Sequence, residues 1–332
     1  MTLHATANPQ ASKIPQMDIV LPTHGKLELT MQAVNALYGN TMTPFHLIVV
    51  DDSDPKTDLT PEYFNRLAKE RDNITFIHST TPFKNGNQFF NVALRHSETD
   101  VFVPVMNSVT VEPEWELVGL ELLKEHQDVG IIALKNLLPN GAIESAGITM
   151  KDYLPIDIGR DLPGHRLCGT YEVPSCQWAF SMLRKKAVVG NMDENIFNGF
   201  VGWDDIDNCF AVRNKGWKIL YCGMGAGFHK PRSTRGDNSQ EAAKKNAYNA
   251  EVFWKRWGYW DMMLQATRQT AAQVEAVGLR TPAASHSVEE AVASVAGGLL
   301  TQMVQKVEPV TPGGEAAATV EYRPVQPIGA AN

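Results

Sequence analysis

Residues 18–52 read DIVLPTHGKLELTMQAVNALYGNTMTPFHLIVVDD, and this segment has the pattern of a strand–helix–strand unit. The apolar runs at 18–21 and 45–50 have the length of buried strands, and polar residues follow each run. Between them, apolar side chains recur at helical spacing over residues 27–37. The segment therefore predicts the beginning of an α/β sheet.

The same alternation continues through the first half of the chain. Further strand patterns lie at 74–78, 101–105 and 130–134, and helical patterns lie at 88–95 and 114–125. We therefore expect an α/β fold with a Rossmann-like, mostly parallel sheet flanked by helices. Ligands of such sheets bind beyond the carboxyl ends of the strands.

The second half is less regular. Glycine and proline interrupt residues 138–174, which predicts long loops or short hairpins of the kind that cover a site. The sequence then predicts strands at 176–183 and 218–222, with a helix at 205–214 between them and a glycine-rich turn between the second strand and His229. It also predicts a longer helix at 240–257 that packs on the main body.

Composition excludes several classes of protein. The 332 residues carry 30 basic and 37 acidic side chains, a net charge of −7, which argues against a nucleic-acid-binding protein. The four cysteines (Cys168, Cys176, Cys209 and Cys222) lack C-x-x-C spacing, so we expect reduced thiols rather than a disulfide framework or structural zinc site. The polar segment 1–16 lacks the apolar core of a signal peptide, and no apolar run is long enough to span a bilayer. We expect a cytoplasmic protein, with any membrane contact peripheral.

The C-terminal part of the chain has a different composition. After about residue 271 it is rich in Ala, Val, Thr, Pro and Gly. Residues 287–306 have the pattern of an amphipathic helix that could support self-association, and 307–332 resemble a disordered tail. With the flexible N-terminus at 1–16, we predict a main domain at 17–235, a C-terminal helix within 236–270, and an extension at 271–332.

Residues 202–207 read GWDDID and place three carboxylates within four positions beside an aromatic side chain. Crowded carboxylates raise one another's pKa, which suits a site that needs a base near neutral pH. The alternative is an acidic helix N-terminus that complements the helix dipole. The adjoining Gly199, Gly202 and Trp203 favour the catalytic interpretation.

Several short motifs occur in the order and spacing of one known family. They are DIVLPTH at 18–24, IVVDD at 48–52, Asn85-Gly86 with Asn91, EPEW at 112–115, WDDID at 203–207 and Phe228-His229. As an ordered set over residues 17–258, they resemble glycosyltransferase family 2. The resemblance implies a GT-A fold with a C-terminal helical extension, a nucleotide-sugar donor and an inverting transfer. The domain at 17–235 would then be catalytic, with a donor half at about 17–135 and an acceptor half at about 136–235.

The resemblance also implies roles for individual residues. Asp205 matches the general base of the Trp-Asp-Asp pattern, and Asp204 would contact an acceptor hydroxyl. Asp207 would lie further along the helix as a cap or as an ion-pair partner of Arg213.

Donor-binding candidates cluster at strand ends and at one helix start. Asp51 and Asp52 can accept hydrogen bonds from a nucleobase or ribose, although Asp-Asp-Ser-Asp-Pro is also a good turn sequence. The Lys84–Asn87 turn before a helix could place amides near a diphosphate, or simply cap that helix. The predicted donor contacts are Pro22, Thr23, Asp51, Asp52, Gly86, Asn91 and Asn107.

The expected metal motif departs from the family. Ser108 stands where an Asp normally ligates the cation, and a hydroxyl is a poorer ligand than carboxylate for Mn²⁺ or Mg²⁺. His229 matches the downstream ligand, so Ser108 and His229 are the candidate metal residues. If no cation binds, basic side chains can neutralise the leaving diphosphate, and the candidates are Lys84, Lys230, Arg232 and Arg235.

Two tryptophans are candidate platforms for the acceptor sugar. Trp203 adjoins the acidic pair, whereas Trp178 lies in an apolar run where core packing is the stronger alternative. Trp254, Trp257 and Trp260 are interpreted as packing residues.

The function predicted from these residues is inverting transfer of a hexosyl or pentosyl group from a nucleoside diphosphate sugar, UDP-sugar first among the donors. The acceptor would be a hydroxyl of a glycan, glycolipid or protein. A non-catalytic sugar-binding or assembly protein and a nucleotidyltransferase are the alternatives. The loop at 22–26 has one glycine and one lysine, fewer than a nucleotidyltransferase usually shows.

Overall fold

The computed structural model describes residues 16–151, 154–200, 202–231, 233 and 240–257. The strands are β1 (Met17–Thr23), β2 (Phe45–Asp51), β3 (Ile74–His78), β4 (Val101–Pro104), β5 (Val109–Val111), β6 (Val129–Leu137), β7 (Ile143–Ser145), β8 (Ile148–Lys151), β9 (Leu154–Asp157), β10 (Thr170–Glu172), β11 (Ser181–Arg184) and β12 (Lys218–His229). The helices are α1 (Leu27–Asn40), α2 (Thr60–Glu70), α3 (Gly86–His96), α4 (Leu117–Glu125), α5 (Lys185–Val188), α6 (Asp204–Asn214) and α7 (Gln240–Trp257).

One large sheet organises the described residues. Its strand order is β10-β12-β6-β11-β4-β1-β2-β3, with β5 also paired to β12 and β7 to β6. The pairs among β4, β1, β2 and β3 are parallel, as is the β6–β12 pair, whereas β11 runs antiparallel between β4 and β6. The predicted α/β fold with a mostly parallel, helix-flanked sheet is confirmed.

The central strands are apolar on both faces because helices cover both faces. Val20, Ile48 and Val50 point into one core cluster, while Ile19 and Leu47 point into the other. A strand buried on both sides has no polar alternation, which explains the continuous apolar residues at 19–21 and 47–50.

Helix α2 is absent from the predicted elements, although its first turn carries a start signal. Asp58 Oδ1 accepts a hydrogen bond from the backbone N–H of Thr60 at 2.8 Å, and Pro61 follows in the first turn. An acidic residue and a proline in these positions are common at helix starts. The polar residues after β2 are also typical of turns, so this stretch was not predicted to begin a helix.

The glycine-rich stretch before His229 was expected to be a turn, and that expectation is wrong. Residues 223–227 belong to β12, which extends seven residues beyond the predicted strand end and shifts register between Cys222 and Ala226. A Cβ at Gly223 would lie 2.0 Å from the backbone oxygen of Leu167. The glycine therefore permits close packing of two chain segments.

Helix α7 has the predicted bounds and packs against α6. Val252, Phe253 and Trp257 are buried in a cluster with Trp203 and Phe210. The hairpin β8–β9, which lies within the predicted loop region, contributes Ile148 to the same cluster. The N-terminal half of α6 is therefore fixed from two sides.

Some expectations fall on other parts of the chain. Those for the N-terminal segment before residue 16, for Arg232 and Arg235, for Trp260, for the helix at 287–306 and for the tail at 307–332 lie outside the described residues. The division into donor and acceptor halves remains a prediction. Within the described segments, no helix combines the length and the apolarity needed to cross a membrane.

Candidate functional site

Asp51 ties together the carboxyl ends of the first three strands. Strand register aligns it with Thr23 on one side and His78 on the other. Its Oδ1 accepts hydrogen bonds from Thr23 Oγ1 at 2.7 Å and from Ser53 Oγ at 2.5 Å, and its Oδ2 lies 2.8 Å from His78 Nδ1. Because both oxygens of this buried carboxylate have protein partners, Asp51 and Thr23 chiefly shape the strand ends.

Asp52 has a more adaptable environment. Its Oδ2 accepts the backbone N–H of Phe83 at 2.7 Å, and its Oδ1 lies 2.7 Å from His24 Nδ1. The His24 side chain is 60% exposed, so its ring can move aside without disturbing the core. The Asp52 side chain is 1% exposed, so a ligand reaches its carboxylate only when His24 moves aside. Pro22 is buried in β1, where strand register pairs it with Val50 of β2.

The N-termini of α3 and α6 meet at Gly86. A Cβ at this position would lie 2.3 Å from Asp204 Oδ2, so a side chain here would displace the Asp204 carboxylate. Asn85 caps α3 by accepting the Gln88 N–H at 3.1 Å, and its amide nitrogen donates to the backbone oxygens of Glu194 and Phe197. The structure thus brings a predicted donor residue and a predicted catalytic residue into contact.

Asn91 lies one turn further along α3, where its amide nitrogen serves a different purpose. It donates to the Met192 backbone oxygen at 2.8 Å and to Glu194 Oε1 at 2.9 Å. The side chain therefore holds the segment that leads towards α6, and its contacts give no support to a direct role in donor binding.

The three carboxylates of the acidic segment have different environments. Asp204 and Asp205 are half-buried in the first turn of α6, whereas Asp207 is fully buried. Trp203, just before the helix, has a left-handed φ of 80° that turns the chain sharply into α6. Asp204 and Asp205 therefore lie at the accessible end of the helix, where the dipole favours negative charge.

Asp207 holds α7 in place. Its Oδ2 accepts from Arg256 Nη1 at 3.1 Å and its Oδ1 from Trp257 Nε1 at 2.6 Å. The expected pair with Arg213 is wrong, because Arg213 binds Glu172 Oε1 at 3.1 Å. Residues six apart point in different directions around a helix, which explains the separation.

We expect Asp207 to make stability depend on pH. Burial raises its pKa from 3.8 to about 6, with the Asp204 and Asp193 charges adding to the rise and Arg256 and Trp257 opposing it. Because the folded state retains this proton between pH 4 and 6, the group's contribution to stability falls as pH rises through that window, by up to about 3 kcal/mol. Asp207→Asn should remove this component in urea unfolding measured from pH 4 to 7. Parallel wild-type and variant curves would contradict the assignment.

The two candidate sugar platforms are buried. Trp203 is 3% exposed, packs tilted against Phe253 and edge-on against Trp254, and donates its indole N–H to Asn246 Oδ1 at 2.9 Å. Trp178 is 1% exposed and packs edge-on against Phe90. Since neither ring presents a face to solvent, the structure gives no support to sugar stacking at these positions; for Trp203 the aromatic side chains of α7 are the reason.

The turn after β4 and the end of β12 bring the candidate metal residues together. His229 is paired with Val109 across antiparallel strands, and the backbone N–H of Lys230 donates to the backbone oxygen of Ser108 at 2.9 Å. Asn107, next to Ser108, donates its amide nitrogen to Thr30 Oγ1 at 3.1 Å. Residues more than one hundred positions apart are thus neighbours, as the motifs implied.

His229 also has an acidic partner that sequence reasoning missed. Its Nδ1 lies 2.6 Å from Glu144 Oε2, and the Glu144 side chain is 4% exposed. Nearby, burial raises the pKa of Asp157, and the Glu144 charge adds to the rise. Gln177 Nε2 donates to Asp157 Oδ1 at 2.8 Å. Single acids in an irregular stretch gave no sequence signal for this cluster.

The side chains around His229 offer a divalent cation an incomplete set of ligands. No group of three or more His, Cys, Asp or Glu side chains within the described residues could hold a metal ion. His229 Nε2, the Ser108 hydroxyl and the Asn107 amide oxygen are the candidate ligand atoms on these neighbouring chain segments. They fit a cation only where substrate phosphate oxygens supply the remaining ligands, as is common for Mg²⁺.

Two exposed basic side chains adjoin elements that carry candidate site residues. Lys84 precedes α3 and Lys230 follows β12, and both are exposed. Their flexible stems allow contact with an anionic ligand.

Comparison with known proteins agrees with the motifs. Residues 18–138 match the family model for glycosyl transferase family 2, which confirms the predicted resemblance over that part of the chain.

The uncharacterized protein y4gI of Sinorhizobium fredii is 26% identical over 259 residues, which are 73% of this chain and 28% of that protein. The chain therefore spans less than a third of this relative's length.

Solved structures with similar folds include glycosyltransferases. GalNAc-T7, crystallised with UDP, GalNAc and Mn²⁺, has a TM-score of 0.61 at 10% identity, covering 88% of this chain and 57% of its own. The mannosyltransferase PcManGT of Pyrobaculum calidifontis, crystallised with GDP-Man and Mn²⁺, has a TM-score of 0.48 at 14% identity, covering 89% of this chain and 82% of its own. The likeness to GalNAc-T7 confirms the GT-A fold.

Proposed function

We propose that this protein is an inverting glycosyltransferase that uses a nucleoside diphosphate sugar, with UDP-sugars first among the donors. The observation that carries the proposal is the meeting of α3 and α6 at Gly86, where a Cβ would lie 2.3 Å from Asp204 Oδ2. Through this contact, Asp204 and Asp205 of α6 lie close to the first turn of α3, which borders the proposed donor site.

Donor binding is assigned to the edge formed by β1, β2 and α3. Asp52 accepts the imide N–H of uracil once His24 moves aside, and Asp51 keeps the surrounding strand ends in register. The α3 N-terminus directs backbone N–H groups and a positive dipole towards this edge, which suits a diphosphate.

Asp205 is assigned as the general base. It accepts the proton of the acceptor hydroxyl as that oxygen forms a bond to the anomeric carbon and the bond from that carbon to the diphosphate oxygen breaks. The bonding electrons leave with the diphosphate, so attack from the opposite face inverts the anomeric centre. Asp204, one residue earlier on α6, orients an acceptor hydroxyl.

The leaving diphosphate acquires negative charge during this step. A divalent cation held by His229, Ser108 and Asn107 would neutralise part of that charge when bound. Lys84 and Lys230 supply positive charge from the chain itself. The acceptor, whether glycan, glycolipid or protein, would enter beside the hairpin β8–β9, which covers α6 together with α7.

Calorimetric titration of the full chain with UDP and several UDP-sugars tests the donor assignment. We expect saturable binding of UDP. Binding should be weaker in Asp52→Ala, because the uracil N–H loses the carboxylate that accepts its hydrogen bond. Each titration is run with Mn²⁺ and with EDTA to separate the cation from the basic side chains. Failure of every nucleotide to bind would overturn the transferase proposal and favour a non-catalytic sugar-binding or assembly role.

A further inference from the structure

Glu144 is a buried acidic residue whose partner is an imidazole. Its side chain is 4% exposed, and Oε2 lies 2.6 Å from Nδ1 of His229, which is itself 13% exposed. Burying a carboxylate is unfavourable unless a hydrogen-bond donor or positive charge compensates it. The position of Glu144 therefore has to be explained by what it does for His229.

The sheet brings these residues together from opposite sides of β6. Leu137 pairs with Ile143 of β7 on one side and with Phe228 of β12 on the other. Glu144 and His229 each follow one of these paired residues, so both lie at the carboxyl end of β6. All three residues of β7 are buried, and Ser145 Oγ bonds the Gly147 oxygen at 3.0 Å, which fixes the segment that carries Glu144.

The hydrogen bond to Glu144 determines which tautomer the neutral imidazole ring of His229 adopts. An ionised carboxylate accepts hydrogen bonds but cannot donate them, so the ring nitrogen that faces Glu144 carries a proton. In the neutral ring the lone pair then resides on Nε2. That atom is the one left to bind a cation or to accept a hydrogen bond beside Ser108.

We propose that Glu144 is a positioning residue that presents Nε2 of His229 to a divalent cation carried by the diphosphate of the donor. This inference rests on the proposed function, because the diphosphate supplies ligands that the described side chains lack. A partner on the far nitrogen of a metal-binding histidine fixes its tautomer and orientation, and removing such a partner typically weakens metal binding about 10–100-fold.

The test compares Glu144→Ala and Glu144→Gln with wild type in the full chain. Glutamine keeps an acceptor oxygen for Nδ1–H, whereas alanine removes it. Glu172→Ala is the matched control, because Glu172 is also a partly buried acid in an ion pair, with Arg213 at 3.1 Å, but belongs to β10. His229→Ala identifies the signal of this ring and the part of nucleotide affinity that depends on it.

Two readouts are needed. Nitrogen-15 NMR of the histidine rings without ligand should show His229 as the Nδ1–H tautomer in wild type and Glu144→Gln, and a shift towards Nε2–H in Glu144→Ala. Calorimetry with UDP should show that alanine weakens binding in Mn²⁺ about 10–100-fold and leaves binding in EDTA unchanged. Glu144→Ala combined with His229→Ala should lose no more affinity than His229→Ala alone.

Several results would overturn the inference. An unchanged tautomer in Glu144→Ala would show that Glu144 does not orient the ring. If Glu144→Ala weakens UDP binding equally in Mn²⁺ and in EDTA, the role of Glu144 is purely structural. If wild type binds UDP with equal affinity in the two conditions, no cation takes part in donor binding. If wild type binds no nucleotide, the proposed function fails by itself, and the ring tautomer still decides whether Glu144 orients His229.

Discussion

Asp205→Asn should reduce glycosyl transfer about 10²–10⁴-fold, the usual contribution of a positioned general base. The amide has nearly the same shape as the carboxylate but cannot accept the proton of the acceptor hydroxyl. Asp52 and α3 are unchanged in this variant, so calorimetry should give the wild-type affinity for UDP. The measurement is the initial rate of UDP release at saturating donor, together with the UDP titration.

Asp128→Asn is the control for Asp205→Asn. Asp128 forms an exposed ion pair with Lys218 at 2.7 Å, immediately before β6, and so lies at the amino end of that strand rather than at the site. Its variant should transfer sugar at the wild-type rate. Near-normal turnover by Asp205→Asn would refute the base assignment and direct attention to Asp204.

The order of most of the longer elements was predictable from the sequence, because buried strands and amphipathic helices impose different apolar spacings, but α2 and the short strand β5 were not predicted. The spacing succeeded for α7, whose bounds at Gln240 and Trp257 match the prediction. It failed for residues 223–227, where glycine was interpreted as a turn signal. Glycine also occurs where backbones approach closely, and the sequence does not distinguish these two uses.

Site residues that belong to sequence motifs were predictable. Site residues that are brought together only by strand register were not. The positions of Ser108 and His229 follow from ordered motifs, and the structure places them on neighbouring chain segments. Glu144 is 85 positions from His229, and its contact depends on both strands that flank β6. A single sequence contains no periodicity that reports such a contact.

Trp203 illustrates a different limit. Its neighbours Asp204 and Asp205 suggested an exposed ring, yet the indole is buried beneath α7. Burial of a side chain depends on what packs over it, and the covering helix begins 37 residues later. Adjacency in sequence to a polar site therefore does not establish exposure.

Asp18→Ala should lower the free energy of unfolding by about 2–3 kcal/mol, because it removes a buried carboxylate that accepts several hydrogen bonds. Asp18 is fully buried at the start of β1, in register with His46 of β2. Its Oδ1 lies 2.9 Å from His46 Nδ1. Its Oδ2 accepts from Ser97, Glu98 and Thr99 at 2.8–2.9 Å, and alanine would remove the acceptor of all of these donors, of which Ser97 is buried.

The pH dependence distinguishes this charged network from simple packing. Burial alone would raise the pKa of Asp18, but hydrogen bonds from His46, Thr99 and Ser97 hold it below its ordinary value of 3.8. A lowered pKa gives stability that is present above pH 4 and is lost as pH falls through the folded-state value. Urea unfolding should therefore show a wild-type advantage over Asp18→Ala that is constant near neutrality and shrinks in acid.

The exposed Asp72 provides the matched control, and Asp72→Ala should change stability by less than about 0.5 kcal/mol. Asp18→Asn should fall between wild type and alanine, because an amide keeps one acceptor oxygen but turns an NH₂ group towards donors. A loss below about 1 kcal/mol in Asp18→Ala, or an advantage that persists unchanged to pH 2, would show that the network contributes packing rather than charge. Because β1 ends at Thr23 and β2 at Asp51, a loosened start of this strand pair should also weaken UDP binding.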